Sequence, residues 1–414
     1  MTIVIERDAV DIRTPLVIVC GWRGRTAQAA RSLLRPGTAV VHHDLSGLDQ
    51  GVLRRSVLTV EDERTEILEL AHGCVSCTLR EDLLPLLRRM RDYSSVDRIV
   101  LHLDPQLEPE ALCWAVEHVV VSGIVGRVDG PASLDVRVDG VVTCLDAATW
   151  LEDATGDDEL NERVDDDRTL AQVVVGQVEF ADALVVLPGA DGWQQARLHA
   201  VLTRLAPDAP IAWAGEPDVE RLLREIPATA RRGAIDGAHS PLLRGQPPLD
   251  DDCGIRLVEF SADRPFHPER LHHAIDVLLD GVVRARGRLW VATQPDNALL
   301  VESAGGGLRV AHAGPWLASM TPDQQREIPA ERRAMASLRW DERYGDRDTS
   351  IVVLVHDADS ELIDRTLRAA VVTDDEFARP DLWPTWRDPF GRFHEDPCDD
   401  LPADRRDNER EGHR

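Results

Sequence analysis

Short apolar runs alternate with longer amphipathic stretches through the first two-thirds of the chain. PLVIVC (15–20), TAVVHHDL (38–45), RIVLHL (98–103), GVVTCLD (140–146), DALVVL (182–187) and PIAWAG (210–215) have the length and branched apolar content of strands buried on both faces. Residues 80–91, 108–122, 169–181, 191–205 and 217–226 carry the helical period, as does the stretch from Thr26 to Leu34, behind a glycine-containing turn. Strand and helix in alternation predict a doubly wound, Rossmann-like α/β domain with a mainly parallel sheet.

The pattern changes towards the C-terminus. IRLVEFSA (255–262), RGRLWVAT (286–293), a hairpin around Gly305–Gly307 and SIVVLVHD (350–357) read as strands. PERLHHAIDVLLD and ELIDRTLRAAVV (361–372) read as helices, so a smaller α+β domain is expected. The acidic stretch 152–168 is nearly devoid of large apolar side chains and predicts an exposed loop. These breaks give a first domain over 1–233, a linker over 234–252, a second domain over 253–393 and a disordered acidic tail over 394–414.

Composition narrows the function classes. At 414 residues and 43% hydrophobic content the chain has enough material for two cores. No run approaches the roughly 20 apolar residues of a membrane span. The first residues, MTIVIERDAVDIR, are acidic where a signal peptide is basic and apolar, which predicts a cytoplasmic protein. A net charge of −27 disfavours DNA or RNA as a direct partner. Arg88, Arg89 and Arg91 cluster on one helix and are expected to form a solvated face. All 47 basic residues are arginine, which excludes Schiff-base chemistry and the lysine of a phosphate-binding loop.

Two segments carry candidate chemistry. The first βα turn, GWRGRT, sits where backbone N–H groups and a helix N-terminus converge on a phosphate. Against the pattern GxxxxGK[ST] it is two residues short and lacks the lysine, leaving Gly21, Gly24, Arg25 and Thr26 as a degenerate nucleotide site. The second segment, HGCVSCTLREDL, places Cys74 and Cys77 at the spacing that brings two thiolates to one tetrahedral zinc ion; a redox pair and an incidental pair are the alternatives.

HGCVSCTLREDL is also similar to the NGCxCCTLREDL hallmark of the CobW family, the metal-chaperone branch of P-loop GTPases. VDGVVTCLDAATWL (138–151), VVGQVEFADALVVL (174–187), RPFHPERLHHAID, GVVRARGRLWVAT, AGPWLA and GDRDTSIVVLV resemble further family segments in the same order, over about residues 15–390. The resemblance implies a Rossmann-like P-loop GTPase domain followed by the CobW C-terminal domain. It also implies zinc as cofactor or cargo, with GTP and Mg²⁺ in question. The family's base-reading motif falls on Leu187–Asp191, of which Asp191 survives, and its switch segment corresponds to His102–Pro109, where Asp104 is a candidate substitute. Three altered elements imply that family GTPase activity is lost or weak, and no catalytic residue is assigned. Where the family carries a metal-binding glutamate, this chain has His42, His43 and Asp44; with His72 they are the candidates to complete a site at Cys74 and Cys77. His267, His272 and His273 are expected to be structural. The resemblance thus implies a zinc-handling or zinc-sensing protein acting on a protein partner. That partner is a metal client or, by likeness to degenerate actinobacterial members, a ribosome hibernation factor recruited under zinc limitation. An active GTPase metallochaperone is the third reading.

Overall fold

The computed structural model describes residues 11–69, 79–91, 93, 95–160 and 167–391. Strands β1 (Thr14–Cys20), β2 (Thr38–Asp44), β3 (Val52–Leu58), β4 (Glu63–Glu69), β5 (Arg98–His102), β6 (Val136–Asp146), β7 (Ala183–Leu187) and β8 (Ile211–Trp213) form one sheet in the order β4-β3-β2-β5-β1-β6-β7-β8. The six strands from β2 to β8 run parallel, and β3 and β4 add an antiparallel hairpin at the edge.

Helices cover both faces because the central strands are apolar on both. The face carrying Ala39, Val41 and Leu101 packs on α2 (Leu84–Met90) and α3 (Pro109–His118). The face carrying Val17, Val40 and Val100 packs on α1 (Thr26–Ser32) and α7 (Val219–Glu225). Helices α4 (Trp150–Thr155), α5 (Leu170–Glu179) and α6 (Gly192–Leu205) complete this half. Thr169 and Gln172 start α5 with a reciprocal capping box, which satisfies two of its free N–H groups directly after the acidic stretch.

The second sheet is antiparallel, in the order β12-β11-β10-β13-β9, from β9 (Arg256–Ala262), β10 (Val282–Leu289), β11 (Asn297–Ala304), β12 (Gly307–Pro315) and β13 (Thr349–Val355). One face packs on α8 (Pro268–Ala274) and α11 (Ser360–Ala370) through Phe260, Ile351, Ile363 and Leu367. The other meets the first half. Glu179, the last residue of α5, pairs with Arg284 of β10 at 2.9 Å, and the Gly306 amide donates to the Gly156 carbonyl at 2.9 Å.

Four expectations need correction. The hairpin β3–β4 has no counterpart in the apolar pattern, because nearly all of β4 is exposed. Residues 152–155 belong to α4, held by buried Trp150 and Ala154, so the acidic loop starts later. The second half gains two short helices, α9 (Pro322–Glu327) and α10 (Ala330–Ser337), with no buried residue to set a period. Arg88 is not on a solvated face. It is 2% exposed; its Nε donates to Asp135 at 2.8 Å and its other nitrogens donate to the carbonyls of Val121, Val128 and Gly130. The disordered-tail expectation falls on residues outside those described.

Candidate metal and nucleotide site

β1 ends at Cys20 and α1 begins at Thr26, so the turn between them is short. It lies against the end of β6, with Arg23 and Leu145 forming an antiparallel bridge. A Cβ on Gly21 would stand 1.9 Å from the Cys144 carbonyl oxygen, and one on Gly24 would stand 2.2 Å from the Cys144 carbonyl carbon, so only glycine fits at either position. Arg23 and Arg25 take φ values of 56° and 58°, a left-handed conformation that side chains disfavour. The Arg25 guanidinium turns away from the turn and donates to the Gly215 carbonyl at 3.3 Å. Thr26 is buried and makes no side-chain cap.

Asp191 lies across the sheet edge and caps α6, its Oδ1 accepting from the Trp193 amide at 2.8 Å. The cavity between these elements, lined by Gly24, Arg25, Gln28, Leu187 and Gly215, encloses about 10 Å³, room for about one water. Asp104 is buried at the end of β5 and accepts from the amides of Leu45 (3.1 Å) and Gln106 (3.0 Å); burial raises its carboxyl above the ordinary range.

The His-His-Asp run ends β2, where strand alternation sends neighbouring side chains to opposite faces. His42 pairs in register with His102 of β5; their rings stack with centroids 4.1 Å apart, and His42 Nδ1 lies 2.9 Å from the His102 carbonyl. A carbonyl only accepts, so Nδ1 carries the proton and, in the neutral ring, Nε2 keeps its lone pair. Burial, then the charges of His42 and Arg31, pushes the His102 imidazole down to about 4. Burial would raise the Asp44 carboxyl, but hydrogen bonds from Ser46 and the nearby His42 and Arg54 outweigh it and hold it low.

His43 is 4% exposed and faces the opposite way, towards the helix that follows the cysteine pair. Its Nε2 donates to Asp82 Oδ2 at 2.7 Å, and Arg55 of β3 pairs with the other Asp82 oxygen and with Glu66. His43 Nδ1 is buried and has no hydrogen-bond partner among the described residues. His42 and His43 therefore cannot serve one metal ion as neighbours on one face. Among the described residues no group of three or more His, Cys, Asp and Glu is gathered for a metal. Cys74, Cys77 and His72 lie outside the described residues, but both flanks of their segment are placed. Glu69 ends β4 opposite Val52, in the hairpin that pairs with β2, and Asp82 sits against His43. Asp82 and His102 escaped sequence reasoning. The signal for His102 was its position at the end of a strand parallel to β2.

Three further thiols are not available for metal chemistry, and Cys253 lies far along the chain, beside β9. Cys20, Cys113 and Cys144 are buried; burial pushes the Cys20 thiol up to about 12 and the other two higher. His267 opens α8 and stacks on Trp386 with centroids 4.5 Å apart.

A doubly wound α/β half followed by an antiparallel sheet half, with candidate chemistry at the carboxyl ends of the parallel strands, defines a two-domain protein of the P-loop nucleotide-binding class. Comparison with known proteins narrows the class. The CobW/HypB/UreG nucleotide-binding domain matches residues 34–211 and the cobalamin synthesis protein CobW C-terminal domain matches residues 255–371. The chain is 49% identical over 396 residues to the zinc chaperone Rv0106 of Mycobacterium tuberculosis, covering 94% of this chain and 96% of that protein. It is 26% identical over 348 residues to the zinc-regulated GTPase metalloprotein activator 1 of Dictyostelium discoideum, covering 80% and 71%. The Zn(II)-bound YjiA GTPase from E. coli aligns over 87% of this chain and 99% of its own, with 15% identity and a TM-score of 0.36. The chain belongs to the CobW family. Among the described residues no helix is long and apolar enough to cross a membrane.

Proposed function

We propose that this protein handles zinc, binding the ion between the Cys74–Cys77 segment and the end of β2, and that it acts through metal-dependent protein contacts rather than nucleotide turnover. One juxtaposition carries the reading. The segment with the two cysteines leaves β4 beside the β3–β2 hairpin and enters the helix whose Asp82 touches His43. One flank is therefore pinned directly to the strand that holds His42, His43 and Asp44, and the other to its neighbour β3.

The donor set suits zinc. Two thiolates and an imidazole are ordinary ligands for its tetrahedral shell, and a further histidine, His72, is within the sequence neighbourhood for the fourth position, whereas Asp44 shares the His42 face. His43 is the preferred imidazole. Its Nε2 is fixed by a carboxylate, the arrangement that commonly orients a metal-binding histidine, and its Nδ1 lone pair is buried without a partner among the described residues. The 49% identical relative that is named a zinc chaperone supports zinc as the cargo.

Nucleotide independence is supported by the turn against β6, by the small cavity beside Arg25 and by the missing lysine. The match to the nucleotide-binding domain also begins at residue 34, after that turn. The output is a protein contact with a zinc client or with a hibernation factor at the ribosome. The test compares zinc bound to the purified protein with that bound to Cys74→Ala/Cys77→Ala. A stoichiometric loss is expected; equal zinc in both removes the proposal. Partner recovery from zinc-replete and zinc-depleted cells then reads the output, and equal recovery in the two conditions counts against zinc control.

A further inference from the structure

The sequence of β10, VVRARGRL, puts Arg284, Arg286 and Arg288 on one face of the second sheet, at alternate positions, with Val282, Ala285 and Leu289 buried on the other. Two of these arginines are neutralised. Arg284 pairs with Glu179 and Glu302 at 2.9 Å each, and Arg286 pairs with Glu302 at 3.2 Å. Arg288 is different. Its Nη1 donates to the Ser240 carbonyl at 2.9 Å, and among the described residues no carboxylate lies within ion-pair distance.

Arg288 lines an open cavity of about 340 Å³ bordered by β9, β10, β13, α10 and residues 239–243 of the connection between the two sheets. A second arginine on its wall, Arg332 of α10, also has no carboxylate within ion-pair distance among the described residues; its Nη2 donates to the Pro315 carbonyl at 2.8 Å and its buried Nε has no partner among them. Trp316, 1% exposed, lines the same cavity, and its indole Nε1 is likewise buried without an acceptor among the described residues. Three acids also line the cavity; Glu259 of β9 is exposed to solvent, and the other two are engaged. Asp346 accepts from the amides of Leu317 and Ala318 at 2.9 Å each, and Asp348 pairs with Arg339 at 2.7 Å. The His239 ring is held neutral at neutral pH, burial chiefly pushing its pKa to about 4, with its Nε2 set on the Ala313 carbonyl. Leu242, Met335 and Val352 complete an apolar wall.

Asp346 and Asp348 act on the two guanidiniums only from beyond ion-pair distance. A half-buried guanidinium without a direct ion pair is costly, and here two of them and an orphan indole N–H border one volume. The volume falls in the range of small-molecule sites, which run from about 300 Å³ upwards. We propose that this cavity binds a small organic anion, a carboxylate or phosphate group on an apolar body. The anion would be gripped by Arg288 and Arg332 with the Trp316 N–H as a third donor. Guanidinium forks match both oxyanions, and the apolar wall takes the body. Because residues 239–243 form one side, the ligand clamps the connecting segment onto the second sheet.

The test uses the full-length protein and three probes of one shape: phenylacetate, phenyl phosphate and the uncharged 2-phenylethanol. Binding is followed by calorimetry and by the rise in melting temperature. At least one anion is expected to bind and the alcohol is not; which anion wins separates the carboxylate source from the phosphate source. Arg288→Gln and Arg332→Gln are each expected to weaken the preferred anion about tenfold, the loss of one charge-assisted hydrogen bond. Trp316→Phe keeps the ring and removes its donor, and a loss of about threefold is expected, within the range of a neutral hydrogen bond. Arg332 lies on an exposed helix, so its variant reports binding even where Arg288→Gln fails to fold. Equal binding of the alcohol, no binding of either anion at millimolar concentration, or unchanged binding in folded Arg332→Gln overturns the proposal.

Discussion

His43 Nε2 and Asp82 Oδ2 stand 2.7 Å apart, joining the strand that carries the His-His-Asp run to the helix that follows the cysteine pair. The contact fixes which imidazole nitrogen bears the proton and so which one is open to a metal. His42 is oriented just as firmly by the His102 carbonyl, but on the other face of the sheet.

From this pairing, His43→Ala is expected to abolish tight zinc binding and His42→Ala to leave it nearly intact. Asp82→Asn keeps the shape but loses the carboxylate, and the zinc affinity is expected to fall 10- to 100-fold, the usual effect of removing an outer-shell partner. Competition against a chromophoric chelator measures all three. The reverse ranking of the two histidines assigns the site to the His42 face.

A second prediction concerns Arg88, whose guanidinium holds the 121–135 stretch by three carbonyls and Asp135. Arg88→Met strands a buried carboxylate, although Arg91 and Arg127 still reach its other oxygen. A loss of about 3 kcal/mol is expected, at the low end for breaking a buried pair. Arg88→Lys recovers only part of it, since an ammonium cannot reproduce the fork. Urea unfolding measures the stability, and proteolysis within 121–135 reports where the chain has loosened.

The contrast between Arg88 and its neighbours shows where sequence reading stopped. The central strands were legible because PLVIVC, RIVLHL and DALVVL are buried on both faces and are apolar through their centres, with polar residues only towards the ends. β4 was not: in ERTEILE only Ile67 and Leu68 are large and apolar, and an edge strand with its face in solvent has no periodicity to read. Arg88 was misplaced because its partners lie 33 to 47 residues away, in a loop without pattern. At the site, the residue types were readable at β2, whereas Asp82 and His102 became visible only when the sheet order brought β5 and the post-cysteine helix beside that strand.

The contact between the two halves makes a pH-dependent prediction. Burial alone would raise the Glu179 carboxyl, but Arg284 and Arg286, with Arg231, outweigh it and hold it below the ordinary range. A carboxyl depressed in the folded state contributes stability that is full above its unfolded pKa, about 4.3, and is lost as pH falls below that. Wild-type protein is therefore expected to lose melting temperature below about pH 4.3 more steeply than Glu179→Gln, whose curve starts lower at neutral pH. Parallel curves for the two proteins remove Glu179 from the acid response.

The first βα turn gives the last prediction. Its backbone lies on β6, Arg23 is bridged to Leu145, and Arg25 is spent on the Gly215 carbonyl. A nucleotide would have to displace that turn, and no lysine is present anywhere in the chain to repay the cost with a phosphate contact. Millimolar GTP with Mg²⁺ is therefore expected to leave the melting temperature unchanged, because a ligand stabilises the native state only as far as its concentration exceeds its Kd. Arg25→Ala, a residue needed for charge if the site were functional, is expected to alter neither that null response nor zinc content. Gly24→Ala serves as the positive control for the geometry: its new Cβ meets Cys144 backbone at 2.2 Å, and a loss of about 2 kcal/mol is expected, within the range for overpacking a tight site. A GTP-dependent rise in melting temperature that disappears in Arg25→Ala would instead mean that the turn opens to receive phosphate, with the guanidinium in the place of the missing lysine.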